Sequence, residues 1–334
     1  MICEHEDKVF SVDKPGFEAL ALEIFRFQYE HNPVYQQYAK TLGRVGAQVS
    51  SINQIPFLPV GLFKTHTISS TSFKPEAVFE SSGTTQTINS RHFVKDLSIY
   101  RKSFLTAWQQ FYGPVGEWCI IGLLPSYLER KNSSLVVMVD ELVRETRHAE
   151  SGFYLYEHEQ LFATLQRLEK AGQKTLLIGV TFALLDFAEK YPIPLSNTII
   201  METGGMKGRR SEMTRPEVHE ILKKAFQTKN IHSEYGMTEL LSQAYSTGDG
   251  IFQTPPWMKV LVRQEDDPFD VRTSGSGVLN VIDLANIYSC SFIATDDIGK
   301  VFADESFEVQ GRTDSSDIRG CSLMVADREF FNNG

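Results

Sequence analysis

From about residue 76 the chain alternates short apolar runs with amphipathic segments, and this alternation restricts the fold more than any other feature. EAVFE, WCIIGLLP, GFYLYE, KTLLIGV and NTIIMETGG read as strands. YRKSFLTAWQQFY, SSLVVMVDELVRE, HEQLFATLQRLEKAG and RPEVHEILKKAF carry the three-to-four spacing of one-faced helices. Strands alternating with helices imply right-handed crossovers and a largely parallel sheet covered on both faces. After about residue 240 the helical spacing stops, and QAYSTG, WMKVLVRQED, GVLNVIDL, CSFIATDD and FEVQGR read as successive strands. Residues 15–48 read as helical, and IPFLPVGLFKTHTI, broken by two prolines, reads as an ordered connection. The expected fold class is α/β, with a β-rich carboxyl-terminal portion. Its expected parts are a helical segment over 1–75, an α/β core over 76–310 and a short tail over 311–334.

Charge narrows the partners. With 33 Lys and Arg against 42 Asp and Glu the formal net charge is -9, which argues against nucleic acid, whose phosphates need clustered cations. Nucleotides stay open, because local loops and magnesium can manage a few phosphates. The acidic, charge-broken amino terminus does not read as a signal peptide, and no apolar run is long enough to span a bilayer. Cys3, Cys119, Cys290 and Cys321 are far apart and give neither a disulfide framework nor zinc spacing, so a cytoplasmic location is expected. His92, His148, His158, His219 and His232 are scattered and form no hydrolase or metalloprotease pattern. His232 is open to two readings, a pocket residue or a hydrogen-bonded histidine at a strand start.

Ligands of parallel α/β sheets bind outside the carboxyl ends of the strands, so the loops there deserve weight. Glu80-Ser81-Ser82-Gly83-Thr84-Thr85-Gln86-Thr87 can wrap a phosphate with amides and hydroxyls, or be a polar surface turn; it lacks the Gly-Lys-Ser/Thr ending of a Walker loop. Glu202-Thr203-Gly204-Gly205 lets a flat ring approach, or is a tight strand-to-helix turn. Ser233-Glu234-Tyr235-Gly236-Met237-Thr238-Glu239 packs an aromatic face, a hydroxyl and a carboxylate together, enough to stack a base, touch a phosphate and hold magnesium. Thr295-Asp296-Asp297-Ile298-Gly299 puts a carboxylate where ribose hydroxyls bind, or is a hairpin; Gly311-Arg312-Thr313-Asp314 follows.

The order of these loops resembles the acyl-adenylate-forming superfamily of acyl-CoA synthetases, firefly-type luciferases and adenylation domains, through roughly residues 50–325. Within it, IPFLPVGLFK, PSYLERKNSSL and GRTDSSDIRGCSL make the chain most similar to the acyl-protein synthetases of bacterial luminescence operons, relatives of phenylacetate-CoA ligase. The resemblance implies the large domain of that superfamily, without its full lid domain. It also implies ATP and magnesium as cofactors and a carboxylic acid, of fatty or related type, as substrate. Ser82, Gly83, Thr84 and Thr85 would grip the phosphates. Gly204 and Gly205 would lie against adenine and Tyr235 would stack on it. Thr238 would touch phosphate, Glu239 would hold magnesium, Asp297 would bind ribose and Arg312 the ribose or α-phosphate. Cys321 matches a cysteine that accepts the acyl group, and a protein partner could donate or accept it.

The chain departs from that pattern in two places. The wider superfamily continues its phosphate loop with Gly-x-Pro-Lys, whereas Gln86-Thr87-Ile88-Asn89 stands here, leaving Arg91 as substitute for the lysine. Fifteen residues follow Arg319, too few for a lid. The acid is not written in any motif; Tyr127 and Ser133, in the stretch from Ser126 to Leu135, are the candidate pocket residues. Two other readings remain: a CoA ligase of the phenylacetate type, and a nucleotide-binding scaffold that has lost catalysis.

Overall fold

The computed structural model describes residues 2–81, 88–125, 132–204 and 213–313. The chain opens with α1 (Ile2–Val9), α2 (Phe17–His31) and α3 (Pro33–Thr41), then the short strand β1 (Leu58–Pro59) and α4 (Leu62–Thr65). The helical stretch expected over 15–48 is broken at Asn32. Its side chain caps α3 by accepting from the Tyr35 amide at 3.0 Å, and Pro33 occupies the first turn, where its missing amide costs nothing. Of the two prolines of the following connection, Pro56 precedes β1 and Pro59 ends it, and β1 joins the main sheet beside a later strand.

An antiparallel hairpin of β2 (Ala77–Glu80) and β3 (Arg91–Val94) brackets the Ser/Thr/Gly loop. Alternation then runs as expected through α5 (Leu97–Tyr112), β4 (Cys119–Leu123), α6 (Ser134–Thr146), β5 (Gly152–Phe153), α7 (His158–Ala171) and β6 (Thr175–Gly179). It continues through α8 (Thr181–Lys190), β7 (Thr198–Glu202) and α9 (Arg215–Phe226). Helix α8 escaped the periodicity because Thr181 to Leu185, Phe187 and Ala188 are all buried, which erases a one-sided pattern. β4 and β6 are buried at every position, which is why they read as unbroken apolar runs.

The remainder is β8 (His232–Tyr235), β9 (Ala244–Ser246), β10 (Ile251–Gln253), β11 (Met258–Arg263), β12 (Val271–Arg272), β13 (Gly275–Asp283), β14 (Phe292–Val301) and β15 (Phe307–Arg312). Among the described residues the main sheet has 13 strands, ordered β12-β11-β13-β14-β15-β10-β9-β8-β7-β6-β4-β5 with β1 on β14. The expected largely parallel sheet is only half correct. Pairing is parallel from β5 to β8 and between β1 and β14, and antiparallel elsewhere. The cause is the loss of crossover helices after α9: without them successive strands reverse direction. β8 is the junction, parallel to β7 on one edge and antiparallel to β9 on the other.

Two local readings change with the fold. Ser233, Glu234 and Tyr235 lie in β8, not in a turn, and only the residues after Gly236 turn. The hairpin alternative at Asp296-Asp297 fails because β14 runs straight through to Val301. Instead β14 bulges there. Val278 pairs with Ile298 and Asn280 with Ala294, so Thr295, Asp296 and Asp297 oppose one residue of β13. Among the described residues no helix is long and apolar enough to cross a membrane.

Candidate active site

The bulge aims Asp297 at its neighbours. Its backbone amide donates to Thr295 Oγ1 at 3.1 Å, and the residue is 4 % exposed. Tyr235 Oη, at the end of β8, donates to Asp297 Oδ2 at 2.8 Å, and Arg312 Nε, across the ladder on β15, donates to Oδ1 at 2.8 Å. Three residues singled out from separate motifs therefore meet on one carboxylate. The Tyr235 ring is fixed by edge contacts with Phe252 and Phe307. A carboxylate has about four acceptor positions, so Asp297 keeps capacity for a ligand hydroxyl.

Thr238 and Glu239 follow three and four residues after Tyr235, in a turn closed by the Leu240 amide on the Met237 carbonyl at 3.1 Å. Nothing in the local motif marks what holds that turn. His92, on β3, donates from Nδ1 to the Thr238 carbonyl at 2.9 Å, and its Nε2 lies 3.0 Å from Asn286 Oδ1. Asn286 Nδ2 in turn donates to the Glu239 carbonyl at 2.7 Å. Burial pulls His92 down to about 4, against the two hydrogen bonds that favour its charged form. Asp283 secures the next residues, accepting from the Leu241 amide at 2.7 Å and Ser242 Oγ at 2.6 Å. The β2–β3 hairpin and the Thr238-Glu239 turn are thus tied together through one histidine. Glu239 itself is 1 % exposed.

Gly204, two residues past β7, has φ +72°, a conformation that costs glycine nothing, and its amide donates to Glu202 Oε2 at 2.6 Å. Glu202, read in the sequence only as part of the Gly-Gly turn, is a buried anchor. Arg215 Nε donates to it at 3.0 Å and Thr181 Oγ1 at 3.3 Å. Burial alone would raise this carboxyl; the Arg215 guanidinium, with His219 and Ser233, outweighs burial and holds it below the usual carboxylate range.

Other expected residues sit apart. Arg91 is exposed at the start of β3, its guanidinium 5.8 Å from the Phe93 ring. Ser133 is buried and caps α6, accepting from the Val136 amide at 3.5 Å. His232 starts β8 with Nδ1 3.2 Å from Tyr112 Oη, and burial holds it near 4, which fits the hydrogen-bonded reading. Cys119 and Cys290 are buried and free. Ser82, Gly83, Thr84, Thr85, Gly205, Tyr127 and Cys321 lie outside the described residues. A narrow cleft lined by Lys64, Ser90, Met237, Asp296 and Arg312 opens between the hairpin, the turn and the β14–β15 ladder. Lys64, from the proline-bracketed connection, puts a cation there that the motif reading did not consider.

A hairpin loop of Ser, Thr and Gly, a Tyr-Gly-x-Thr-Glu segment leaving the parallel half of a sheet, and an Asp–Arg pair on adjacent strands together define an acyl-adenylate-forming ligase. Solved structures of such ligases share the fold. 2-Hydroxyisobutyryl-CoA ligase, in an open conformation with 2-HIB-AMP and CoA, matches with TM-score 0.63 and 12% identity over 89% of this chain and 70% of that one. ATP-bound MatB from Rhodopseudomonas palustris matches with TM-score 0.54 and 14% identity over 71% of this chain and 48% of that one. The chain belongs to the acyl-protein synthetase family, LuxE, whose pattern it matches over residues 8–330, and it is an AMP-forming ligase of that family. It is 24% identical over 326 residues to the long-chain-fatty-acid–luciferin-component ligase of Vibrio harveyi, covering 90% of this chain and 85% of that protein.

Proposed function

We propose that this enzyme activates a carboxylic acid of fatty or related type with ATP and passes the acyl group to a protein thiol, with Cys321 as acceptor. In the first half-reaction the substrate carboxylate attacks the α-phosphate of ATP, and the bond to pyrophosphate breaks. In the second a thiolate attacks the acyl carbon and AMP departs with the bonding electrons. The observation that carries this reading is the Asp297 carboxylate held between Tyr235 and Arg312 beside the Thr238-Glu239 turn.

Asp297 accepts the ribose hydroxyls, Arg312 turns its remaining guanidinium donors to ribose or α-phosphate, and Tyr235 and Gly204 flank the adenine. Thr238 donates to a phosphate oxygen, while the hairpin loop wraps the outer phosphates. Among the described residues no three His, Cys, Asp or Glu side chains converge to hold a metal alone. Glu239 fits magnesium in the usual way for this ion, one carboxylate shared with phosphate oxygens and water. A magnesium ion bound there would neutralise charge developing on the phosphates. Glu239→Gln keeps the shape and removes the charge. It should raise the magnesium needed for half-maximal turnover by about tenfold or more. An unchanged magnesium titration would remove Glu239 from this role.

Acyl transfer has its own test. Incubation with ATP and a labelled acid should leave label on the protein that neutral hydroxylamine releases, since it cleaves thioesters and spares amides. Cys321→Ser should lose this label yet keep the first half-reaction, because the thiol acts after the adenylate forms. Label on the Ser variant would refute Cys321, and product only with added CoA would identify a CoA ligase.

A further inference from the structure

The two faces of β8 carry different chemistry. Tyr235 points to Asp297, so alternation puts Glu234 and His232 on the opposite face, against α5. Glu234 pairs across the ladder with Tyr245 of β9, and Gln243, two residues before Tyr245, shares that face. Tyr112 of α5 closes one side, its hydroxyl 3.2 Å from His232 and its ring 5.5 Å from Tyr245. Tyr100 of α5 closes the other, donating to the Ser134 carbonyl at 3.1 Å at the start of α6.

Within this enclosure two polar side chains converge on Gly236. A Cβ at Gly236 would meet Glu234 Oε1 at 2.5 Å and Gln243 Cγ at 3.5 Å, so no larger residue fits without moving them. Gln243 is 4 % exposed. Its Nε2 donates to Tyr100 Oη at 3.4 Å, but its Oε1 has no hydrogen-bond partner among the described residues. Tyr100 has spent its proton on Ser134 and offers Gln243 none. The Glu234 carboxyl, on a partly buried residue, takes no hydrogen bond from a described residue, and desolvation together with the Glu202 charge pushes it up to about 8. An aliphatic chain against this pair would leave a buried acceptor unmet, which proteins avoid. A group that both donates and accepts would satisfy it.

We propose that Glu234 and Gln243 form a polar subsite that receives a hydrogen-bond donor, a hydroxyl or an amino group, carried on the acyl chain of the acid substrate. This rests on the reading that an acid is activated at the adjoining Thr238-Glu239 turn. The donor bonds to Gln243 Oε1 and exchanges a second hydrogen bond with the Glu234 carboxyl. Tyr100 links Gln243 to Ser134, which follows the candidate pocket residue Ser133. It selects against plain alkyl chains because a site built around buried polar groups rejects the analogue that leaves them unpaired. The hydroxyl and amino cases differ in charge, and a matched pair of acids separates them.

The test compares octanoate with its terminal hydroxy and amino derivatives, and phenylacetate with para-hydroxyphenylacetate, in wild type, Glu234→Gln and Gln243→Leu. Binding is measured by calorimetry and activation by pyrophosphate exchange. Wild type should bind at least one donor-bearing acid about tenfold or more tightly than its plain partner, as one lost buried hydrogen bond implies. Gln243→Leu should bring that ratio to near one, and Glu234→Gln should lower it most for the amino acid derivative. Equal affinities within every pair, binding of no acid in the panel, or a ratio untouched by Gln243→Leu overturns the subsite. The tenfold preference without any exchange would leave the subsite standing and refute acid activation. Fast exchange with plain acids alone would do the reverse.

Discussion

Asp297→Ala is expected to weaken ATP binding by roughly tenfold or more while the chain remains folded. The carboxylate makes two charge-assisted or strongly oriented contacts, to Tyr235 Oη and Arg312 Nε, both at 2.8 Å. Hydrogen bonds to a charged group are worth about 1.5–3 kcal/mol each, so the loss of one to a ribose hydroxyl alone accounts for a tenfold change. Removing Asp297 also frees Arg312 and Tyr235 to change rotamer, which adds to the loss. Position matters here as well as charge, because the bulge in β14 turns the residue toward β8 and β15. Asp297→Asn keeps one acceptor oxygen and should fall between wild type and the alanine variant. Calorimetry giving all three proteins the same dissociation constant would remove Asp297 from the nucleotide site.

Asp283→Ala is expected to cost about 3–5 kcal/mol of stability, among the largest single effects in the molecule. Its carboxylate is fully buried and accepts from the Leu241 amide, the Ser242 hydroxyl and the Ala285 amide at 2.7, 2.6 and 3.1 Å. Alanine leaves two amides in the core with no acceptor and leaves the Ser242 hydroxyl only Ser103 Oγ, 3.1 Å away. Ser242 also receives the Trp257 indole at 3.0 Å, so the disturbance reaches the packing of β11. A fall in melting temperature of roughly 10 °C follows for a domain of this size. The pH dependence has a definite sign. Burial pushes Asp283 up from 3.8 to about 6 against its hydrogen bonds, so between those values the folded state holds more proton than the unfolded one. Stability from this group is therefore present below about 3.8 and declines as pH rises toward 6. Asp283→Asn should flatten that decline. A variant melting within a degree or two of wild type would show that the network is dispensable.

Short motifs singled out residues that the fold brings together. Tyr235, Asp297 and Arg312 each stood in a recognisable context, and the fold joins them on one carboxylate. The residues that hold the site were not legible in the same way. His92 and Asn286 meet across 194 positions, and nothing local marks either of them. Glu202 looked like the start of a glycine turn because its partners, Arg215 and Thr181, lie on separate helices. Periodicity identified strands but not their neighbours, which is why the antiparallel half of the sheet was underestimated. Helix α8 disappeared for the opposite reason: burial on nearly every side removes the pattern by which a helix is recognised.

Carboxylate-dependent exchange of labelled pyrophosphate into ATP reads formation of the acyl-adenylate alone. The purified chain, supplied with magnesium, ATP and a panel of fatty and hydroxylated or amino acids, is expected to incorporate label only when an acceptable acid is present. Asp297→Ala and Glu239→Gln should slow it. Exchange does not require the acceptor thiol, so Cys321→Ser should match wild type. No acid-dependent exchange across the panel, from a protein that binds ATP and is folded, would contradict the proposed activity and leave a nucleotide-binding scaffold in its place.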